Sequence, residues 1–251
     1  MKVVLVGAGN LATNLAVALQ QSGHTILQVF SRTRLSAEQL ADRVGVPAVT
    51  ALNQLSREAD IYIISITDSA LSSFDYTVFP THSLVVHTAG SIPMDVIPLE
   101  HRGVFYPMQT FSRQRIVDFS KIPIFIEAAS EDDTQLLTDF ALPINNKVYR
   151  LSSADRVYLH LAAVYCSNFV NHCYAMSEEI LRQHDIPFSV MLPLVDEVAA
   201  KVHHVSPRDA QTGPAIRHDE NVIRHHLSLL ENNPRLQEIY AIMSESIQGV
   251  K

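Results

Sequence analysis

A strand-like run over residues 3–6 leads directly into the turn Gly7-Ala8-Gly9, and a helical pattern opens at Asn10-Leu11-Ala12. Gly7 permits a tight turn, Gly9 leaves the backbone bare, and Ala12 lets the helix pack closely on the strand. The free N–H groups at the start of such a helix can hold the pyrophosphate of a dinucleotide. A turn that needs its glycines for steric reasons alone is the alternative, but the placement after the first strand favours a dinucleotide site.

Short apolar runs rich in β-branched residues recur through the first 150 residues. They predict strands at 3–6, 25–30, 61–66, 84–87, 122–126 and 147–149. Amphipathic stretches between several of them predict helices at 11–21, 37–44 and 132–142. This alternation is typical of an α/β fold with a doubly wound parallel sheet, the Rossmann architecture.

The strand pattern stops near residue 152, and the rest of the chain is predicted to be all-α. Residues 154–183 are apolar around most of a helical circumference, which predicts a helix buried on several sides. Further helices are predicted at 191–205, after Asp219, and after Asn233-Pro234. We therefore divide the chain into an N-terminal domain, 1–150, and an all-helical domain, 151–251. So long an apolar helix is hard to bury in a small helical domain, which predicts a homodimer through the C-terminal helices.

Composition and charge exclude several classes of protein. The 251 residues carry a formal charge of −7 without a basic stripe, so no nucleic-acid partner is expected. No apolar stretch has the length of a membrane span, and the first residues lack the apolar core of a secretory signal, so we expect a soluble, cytoplasmic protein. Cys166 and Cys173 are predicted to be free thiols, because seven helical residues separate them by about 10 Å.

Metal-ion chemistry is not expected. The sequence has twelve histidines, but adjacent pairs such as His203-His204 diverge on a helix, and no Cys-x-x-Cys or His-Glu-x-x-His spacing occurs.

The second strand ends at Ser31-Arg32-Thr33, where an NAD-binding site usually has an acidic residue. Arg32 offers a planar fork for a 2′-phosphate, and the Ser31 and Thr33 hydroxyls can add hydrogen bonds, so NADP(H) is the predicted cofactor. Two other strand ends are candidate cofactor contacts, namely Thr67-Asp68 and His87-Thr88-Ala89-Gly90. Asp68 could instead cap the next helix, and the second segment could be a plain turn.

These features carry a family resemblance. The N-terminal half resembles the NADP-binding domain shared by pyrroline-5-carboxylate reductase, ketopantoate reductase and the deazaflavin-dependent NADP oxidoreductases. The whole chain is similar to a bacterial family that joins this domain to a helical C-terminal domain of unknown function. The segments that support the match are 7–12, 87–91, 106–111, 160–169 and 213–219. In the last segment, His218 stands where relatives often have glycine, which disfavours a tight turn there.

The long helix carries the candidate catalytic residues. His160, Ser167 and Asn168 share roughly one face of it, where polar side chains are costly to bury without partners. The resemblance implies that His160 donates a proton to the reacting group and that Asn168 orients the substrate. These side chains could equally be satisfied core residues or dimer contacts.

Candidate substrate contacts lie in two other segments. Gln109 and Thr110 are polar residues among aromatic neighbours, although ordinary strand alternation would give the same pattern. Gly213-Pro214 resembles a substrate loop of pyrroline-5-carboxylate reductase, and Arg217 could bind a substrate carboxylate or form a local contact.

Two functions fit these residues. The first is an NADP(H)-dependent oxidoreductase that reduces a small carbonyl or imine substrate by hydride transfer. The second is a non-catalytic NADP(H)-binding sensor or scaffold. The candidate face of the long helix has no lysine or carboxylate among its polar residues, and this absence favours the second function.

Overall fold

The computed structural model describes residues 1–249. Its strands are β1 Lys2–Val6, β2 Thr25–Phe30, β3 Ala48–Val49, β4 Ile61–Ile64, β5 Leu84–His87, β6 Arg102–Pro107, β7 Ile124–Ala128 and β8 Val148–Arg150. Its α-helices are α1 Asn10–Gln21, α2 Arg34–Val44, α3 Asp68–Leu71, α4 Glu131–Ala141, α5 Ser153–Ala163, α6 Val170–Arg182, α7 Leu192–Lys201, α8 Glu220–Leu229 and α9 Pro234–Gln248. A π-helical segment, Val164–Phe169, lies between α5 and α6.

The strands form one sheet in the order β3-β2-β1-β4-β5-β6-β7-β8. All neighbouring strands are parallel except β6 and β7, which are antiparallel. The chain runs outward from β1 to β3 and then returns to place β4 on the other side of β1. The strand order therefore reverses beside β1, and ligands of doubly wound sheets bind at the carboxyl ends of the strands at such a point.

The sheet is buried on both faces, as the continuous apolar runs of its strands require. Val3 and Leu5 of β1 pack in a core with residues of α1, α2 and α4. Val4 and Val6 point to the opposite face and pack in a second core with Leu71 of α3 and the segment that follows it. Alternate residues of β1 therefore pack against the helices on opposite faces of the sheet. The predicted doubly wound fold is confirmed.

Two strands were not predicted from the sequence. β3 is only two residues long, and β6 has three apolar residues between Arg102-Gly103 and Pro107, so neither produces a strand-like run. The strand predicted at residues 122–126 begins later, because Phe119–Lys121 forms a 3-10 turn that carries Ile122 into the core. The missing β6 is the more important error, because its carboxyl end forms part of the candidate site.

The chain divides into two compact units, residues 1–168 and 169–251. The first part of the long helix belongs to the sheet-containing compact unit, and the division of the chain at residue 150 stays a prediction. The long helix is also not continuous α-helix, since the π segment interrupts it. Burial on several sides does not occur within one chain: Arg156 is the buried residue of α5, and α6 has none.

Helices α5, α8 and α9 each begin with an N-capping side chain, as predicted for the two helices that follow Asp219 and Asn233. Ser152, Asp219 and Asn233 each accept a hydrogen bond from a first-turn backbone N–H of the helix that follows. The tight turn before α8 forms although it lacks glycine, because His218 itself adopts a positive φ of 56°. Its N–H donates to the carbonyl oxygen of Ala215, which closes the turn. Within residues 1–249, no helix combines the length and the apolar character that crossing a membrane requires.

Candidate functional site

A cleft of about 640 Å³ opens at the carboxyl ends of β1, β2 and β4. The turn after β1, the end of β2 and the residues after β4 all contribute to its wall. Seven of the predicted cofactor residues line it: Gly7, Gly9, Asn10, Leu11, Ser31, Arg32 and Thr67. We call this space the first cleft.

Gly7 and Gly9 differ in why they must be glycine. Gly7 has a φ of +118°, and a Cβ there would lie 2.0 Å from the backbone oxygen of Ser65. The fold itself therefore requires glycine at position 7. Gly9 has a φ of −80°, which suits any residue, and a Cβ there would meet nothing within 4 Å. The bare face of Gly9 borders open cleft, so it fits a diphosphate that approaches the backbone closely.

The start of α1 provides the donors for such an anion. Gly9 is the N-cap residue of α1 and supplies no side-chain cap, so the N–H groups of the first turn have no capping oxygen from that position. The N–H of Gly7 donates to the carbonyl oxygen of Phe30, which fixes the turn against the end of β2. The residues present therefore fit the diphosphate of a dinucleotide cofactor.

The part of the first cleft that follows β2 carries Ser31 and Arg32. Arg32 forms no hydrogen bond or ion pair with any of residues 1–249, so its guanidinium is available for a 2′-phosphate. Thr33 lies at the N-cap position of α2 and does not line the cleft. Asp75 does line it, but hydrogen bonds from Thr77 hold this carboxylate and lower its pKa.

A second cleft of about 780 Å³ lies beside the first, and Asn10 and Leu11 line both. Its polar lining includes five side chains: Gln109, Thr110, His160, Ser167 and Asn168. The structure thus brings together all three predicted catalytic residues and two of the predicted substrate contacts. Tyr106, at the end of β6, completes this group.

His160 and Tyr106 form a pair of polar side chains in the second cleft. The Tyr106 hydroxyl lies 3.1 Å from His160 Nδ1, within hydrogen-bonding distance. Burial, the largest influence, raises the pKa of the Tyr106 phenol, and the charge of Arg156 opposes this shift. The phenol is therefore protonated at neutral pH and can donate to the imidazole.

Gly90 provides the surface on which the His160 ring rests. A Cβ at position 90 would lie 2.4 Å from His160 Nδ1 and 3.0 Å from the His160 Cβ. Gly90 does not line the first cleft. Its prediction as a cofactor contact is therefore not supported by its position, and the absence of a side chain there instead makes room for the imidazole.

A buried ion pair anchors α5 one turn before His160. Arg156 is 1% exposed, and its Nη1 donates to Glu127 Oε2 over 2.6 Å. Glu127 also accepts hydrogen bonds from the backbone N–H and the hydroxyl of Ser153. Arg156 Nη2 donates to the carbonyl oxygen of Ile92, so the segment after β5 is tied to the same helix.

The other predicted cofactor residues do not line the first cleft. His87, Thr88 and Ala89 are buried, and His87 Nδ1 accepts a hydrogen bond from the N–H of Ala89, so these residues fix the turn after β5. Burial and the charge of Arg156 lower the pKa of His87 to about 4. Asp68 begins α3 and accepts a hydrogen bond from Ser91. Ala12 is buried, which suits the helix–strand packing expected of it.

Three predicted substrate residues belong to the helical unit. Gly213 has a φ of +109°, and Pro214 lines an apolar cavity of about 310 Å³ within this unit. Arg217 is exposed and does not line that cavity. Cys166 and Cys173 are free thiols, and across residues 1–249 no group of three His, Cys, Asp or Glu side chains is placed to hold a metal ion.

Comparison with known families places this geometry in context. Residues 2–89 match the family described as NADP oxidoreductase, coenzyme F420-dependent, and residues 122–247, half of the chain, match the domain of unknown function DUF2520. A protein from Bacteroides fragilis, provisionally named an NADP oxidoreductase, is 50% identical, with a TM-score of 0.95 over 98% of this chain and 97% of that chain.

The chain belongs to the DUF2520 family. The predicted resemblance is therefore confirmed, and so are the predictions of an oxidoreductase and of NADP(H) as the cofactor, at the level of the family.

More distant solved structures share the fold. An imine reductase from Myxococcus stipitatus, solved with NADP+, is 15% identical, with a TM-score of 0.70 over 100% of this chain and 96% of that chain. The 1-pyrroline-5-carboxylate reductase of Streptococcus pyogenes is 14% identical, with a TM-score of 0.68 over 99% and 98%. By contrast, the chain spans 17% of a glutamyl-tRNA reductase and 34% of a shikimate dehydrogenase (NADP(+)), the curated relatives that it matches.

Two side chains of the clefts were not named as site residues from the sequence of this DUF2520 protein, although Tyr106 begins the segment 106–111 that supports the family resemblance. Tyr106 lies at the end of a strand that the apolar pattern does not reveal. Arg113 lines the first cleft from an irregular loop, where neither periodicity nor a motif marks it. Recognition of β6 would have placed Tyr106 near the carboxyl end of a strand and Arg113 in the loop that follows it, where ligand contacts are expected.

Proposed function

We propose that this DUF2520 protein is an NADP(H)-dependent oxidoreductase that reduces a small carbonyl or imine substrate by hydride transfer. The observation that carries the proposal is the His160–Tyr106 pair in a cleft that shares Asn10 and Leu11 with the dinucleotide cleft. Bound NADPH supplies the hydride. The residues of the chain hold the substrate and supply the proton.

His160 is the proposed proton donor. As proton donor, the imidazole is in its protonated form, in which Nδ1–H donates to the Tyr106 hydroxyl oxygen and holds the ring in place. Nε2–H then gives its proton to the reacting group, and the neutral ring keeps the hydrogen on Nδ1. Tyr106 is then a positioning residue. The ion pair of Arg156 with Glu127 fixes the start of α5, the helix that carries His160, and so also helps to hold the imidazole. Asn168 and Ser167 are proposed to orient the polar group of the substrate.

The lining of the second cleft suits a small, mainly apolar substrate with one polar group. Apolar side chains form much of the wall, including Met108, Phe111, Leu159 and Val164. No arginine or lysine lines this cleft, so within the first unit nothing points to a carboxylate substrate. We propose Arg217, Gly213 and Pro214 as additional substrate contacts on the resemblance alone.

The test is NADPH oxidation against a panel of cyclic imines and small ketones, followed at 340 nm. His160→Ala should lower kcat about 100-fold or more, as expected for loss of a general acid. Tyr106→Phe should lower kcat less and shift the pH profile of kcat, because it removes the hydrogen bond but keeps the imidazole. His184→Ala is the matched control, since His184 is exposed in the loop after α6.

The competing function is an NADP(H) sensor without catalysis. Tight NADPH binding by the wild type, with no oxidation of any compound in the panel and no effect of His160→Ala on binding, would favour the sensor. Turnover that His160→Ala abolishes would reject it.

We also propose that the protein is a cytoplasmic homodimer that associates through its C-terminal helices. Tyr158 and Leu161 of α5 are 72% and 54% exposed, and α7 exposes Leu194 and Val198. A second copy would cover such apolar side chains, which monomers rarely expose in groups. Sedimentation should give twice the mass of the chain, and Leu161→Glu should shift it toward the mass of one chain.

A further inference from the structure

A loop from residue 108 to residue 118 is fastened to the start of α1 by one buried side chain. Asn14 is fully buried, and its Nδ2 donates to the carbonyl oxygen of Ser112 over 2.8 Å. Its Oδ1 accepts from the N–H of Val117 over 3.0 Å. The loop is therefore held against the helix whose N-terminal turn forms the floor of the first cleft.

This attachment brings the guanidinium of Arg113 to the glycine-rich turn. Arg113 Nη2 donates to the carbonyl oxygen of Ala8 over 2.6 Å, and the side chain lines the first cleft. A guanidinium has five N–H donors, and this contact uses one of them. No carboxylate within residues 1–249 forms an ion pair with Arg113, so its charge is not neutralised by the described part of the chain.

The position of this charge indicates its ligand. Ala8 lies between Gly7 and Gly9, beside the bare face where a diphosphate fits. A partly buried arginine without an anionic partner is costly, whereas an arginine that faces a phosphate forms strong charge-assisted hydrogen bonds. Among the residues that line the first cleft, Arg32 and Arg113 are the basic ones.

We propose that Arg113 binds the diphosphate of NADP(H), while Arg32 binds the 2′-phosphate at the other end of the same cleft. This inference deepens the proposed function and rests on its cofactor site. Arg113 belongs to the same loop as Gln109 and Thr110, which line the second cleft. The contact therefore ties the cofactor diphosphate to the loop that forms one wall of the substrate pocket.

Direct binding measurements with separate ligands test the assignment without relying on turnover. Calorimetry would give Kd values for NADPH, NADH and adenosine 2′-monophosphate with the full chain. Arg113→Gln should weaken NADPH and NADH by the same factor, about ten- to hundredfold for a lost charge-assisted contact. Its affinity for adenosine 2′-monophosphate, which has no diphosphate, should be unchanged.

Two variants serve as comparisons. Arg32→Gln should weaken NADPH and adenosine 2′-monophosphate while leaving NADH unaffected, the opposite selectivity. Arg115→Gln should bind all three ligands as the wild type does, because Arg115 is exposed on the same loop and does not line the cleft. Arg113→Lys, which keeps the charge but loses the fork, should give an intermediate Kd for both dinucleotides.

Three results would overturn the assignment. Equal dinucleotide affinity in Arg113→Gln and wild type would remove the contact, and a loss confined to NADPH would move Arg113 to the 2′-phosphate. A parallel loss for adenosine 2′-monophosphate would show that the substitution merely distorts the cleft. Failure of the wild type to bind any dinucleotide is a different result, because it would reject the cofactor site of the proposed function itself.

Discussion

Replacing Gly9 with alanine should leave the stability of the fold nearly unchanged but weaken the binding of the cofactor. A Cβ at position 9 meets nothing within 4 Å, and the φ of −80° is ordinary for alanine. Alanine is a poorer N-cap residue than glycine but loses less chain entropy on folding, and each effect amounts to about 0.5–1 kcal/mol. The two effects oppose each other, so the free energy of unfolding should change by less than about 0.5 kcal/mol.

Cofactor binding should respond very differently. The new methyl group would occupy the space through which the diphosphate approaches the backbone. Forcing one extra carbon into a packed contact costs about 1–3 kcal/mol, which corresponds to roughly a five- to 150-fold increase in Kd. Urea unfolding and calorimetric titration with NADPH on the same protein samples would measure both quantities.

Gly7→Ala is the matched control, because it should give the opposite pattern. Its Cβ would lie 2.0 Å from Ser65 O, which is backbone and cannot rotate away, and its φ is positive. We expect a loss of about 2–5 kcal/mol in the free energy of unfolding. If Gly9→Ala destabilised the protein as strongly as Gly7→Ala, or bound NADPH with wild-type affinity, the interpretation of the open face as a diphosphate site would be wrong.

Three further substitutions test the second cleft and its support. Gly90→Ala should displace the His160 ring and lower kcat at least tenfold, while the Kd for NADPH stays unchanged; an unaltered kcat would contradict the proposed proton donor. Glu127→Gln should lower the free energy of unfolding by about 3 kcal/mol, because it leaves the buried guanidinium of Arg156 without its partner, and a change below about 1 kcal/mol in urea would refute this. The pKa of His87 in the folded protein is about 4, below its unfolded value of about 6.5, so neutral His87 favours the folded state. Its contribution to the free energy of unfolding is fully present above about pH 6.5 and is lost as the pH falls toward 4. Urea unfolding at pH 7 and pH 5 should show a loss of about 2 kcal/mol from this group, and His87→Gln should remove that part of the pH dependence.

Much of the sheet could be predicted from the sequence because its strands are buried on both faces. β1, β4 and β5 contain unbroken apolar runs, and the interior of β2 is interrupted only by Gln28. Each of the four strands is followed by glycine, serine or threonine at its carboxyl end. The glycine-rich turn after β1 then located the first cleft. β6 was not predicted because Arg102, Gly103 and Pro107 interrupt its apolar pattern. Its strand conformation is stabilised by pairing with β5 and β7, which the local sequence does not reveal.

The second cleft was only partly predictable, since its members come from distant segments. Helical spacing brought His160, Ser167 and Asn168 to one face, but no pattern within the sequence links His160 to Tyr106 or to Gly90. Gly90 was assigned to the cofactor because glycines after strands often have that role. Only the three-dimensional packing shows that an imidazole from α5 occupies the space above it.

The shared wall of Asn10 and Leu11 has a kinetic consequence. A dinucleotide bound in the first cleft would contribute to the surface that the substrate contacts in the second cleft. We expect compulsory-order turnover, in which the dinucleotide arrives first and leaves last. Product inhibition by the oxidised dinucleotide should then be competitive toward its reduced form at every concentration of the other reactant.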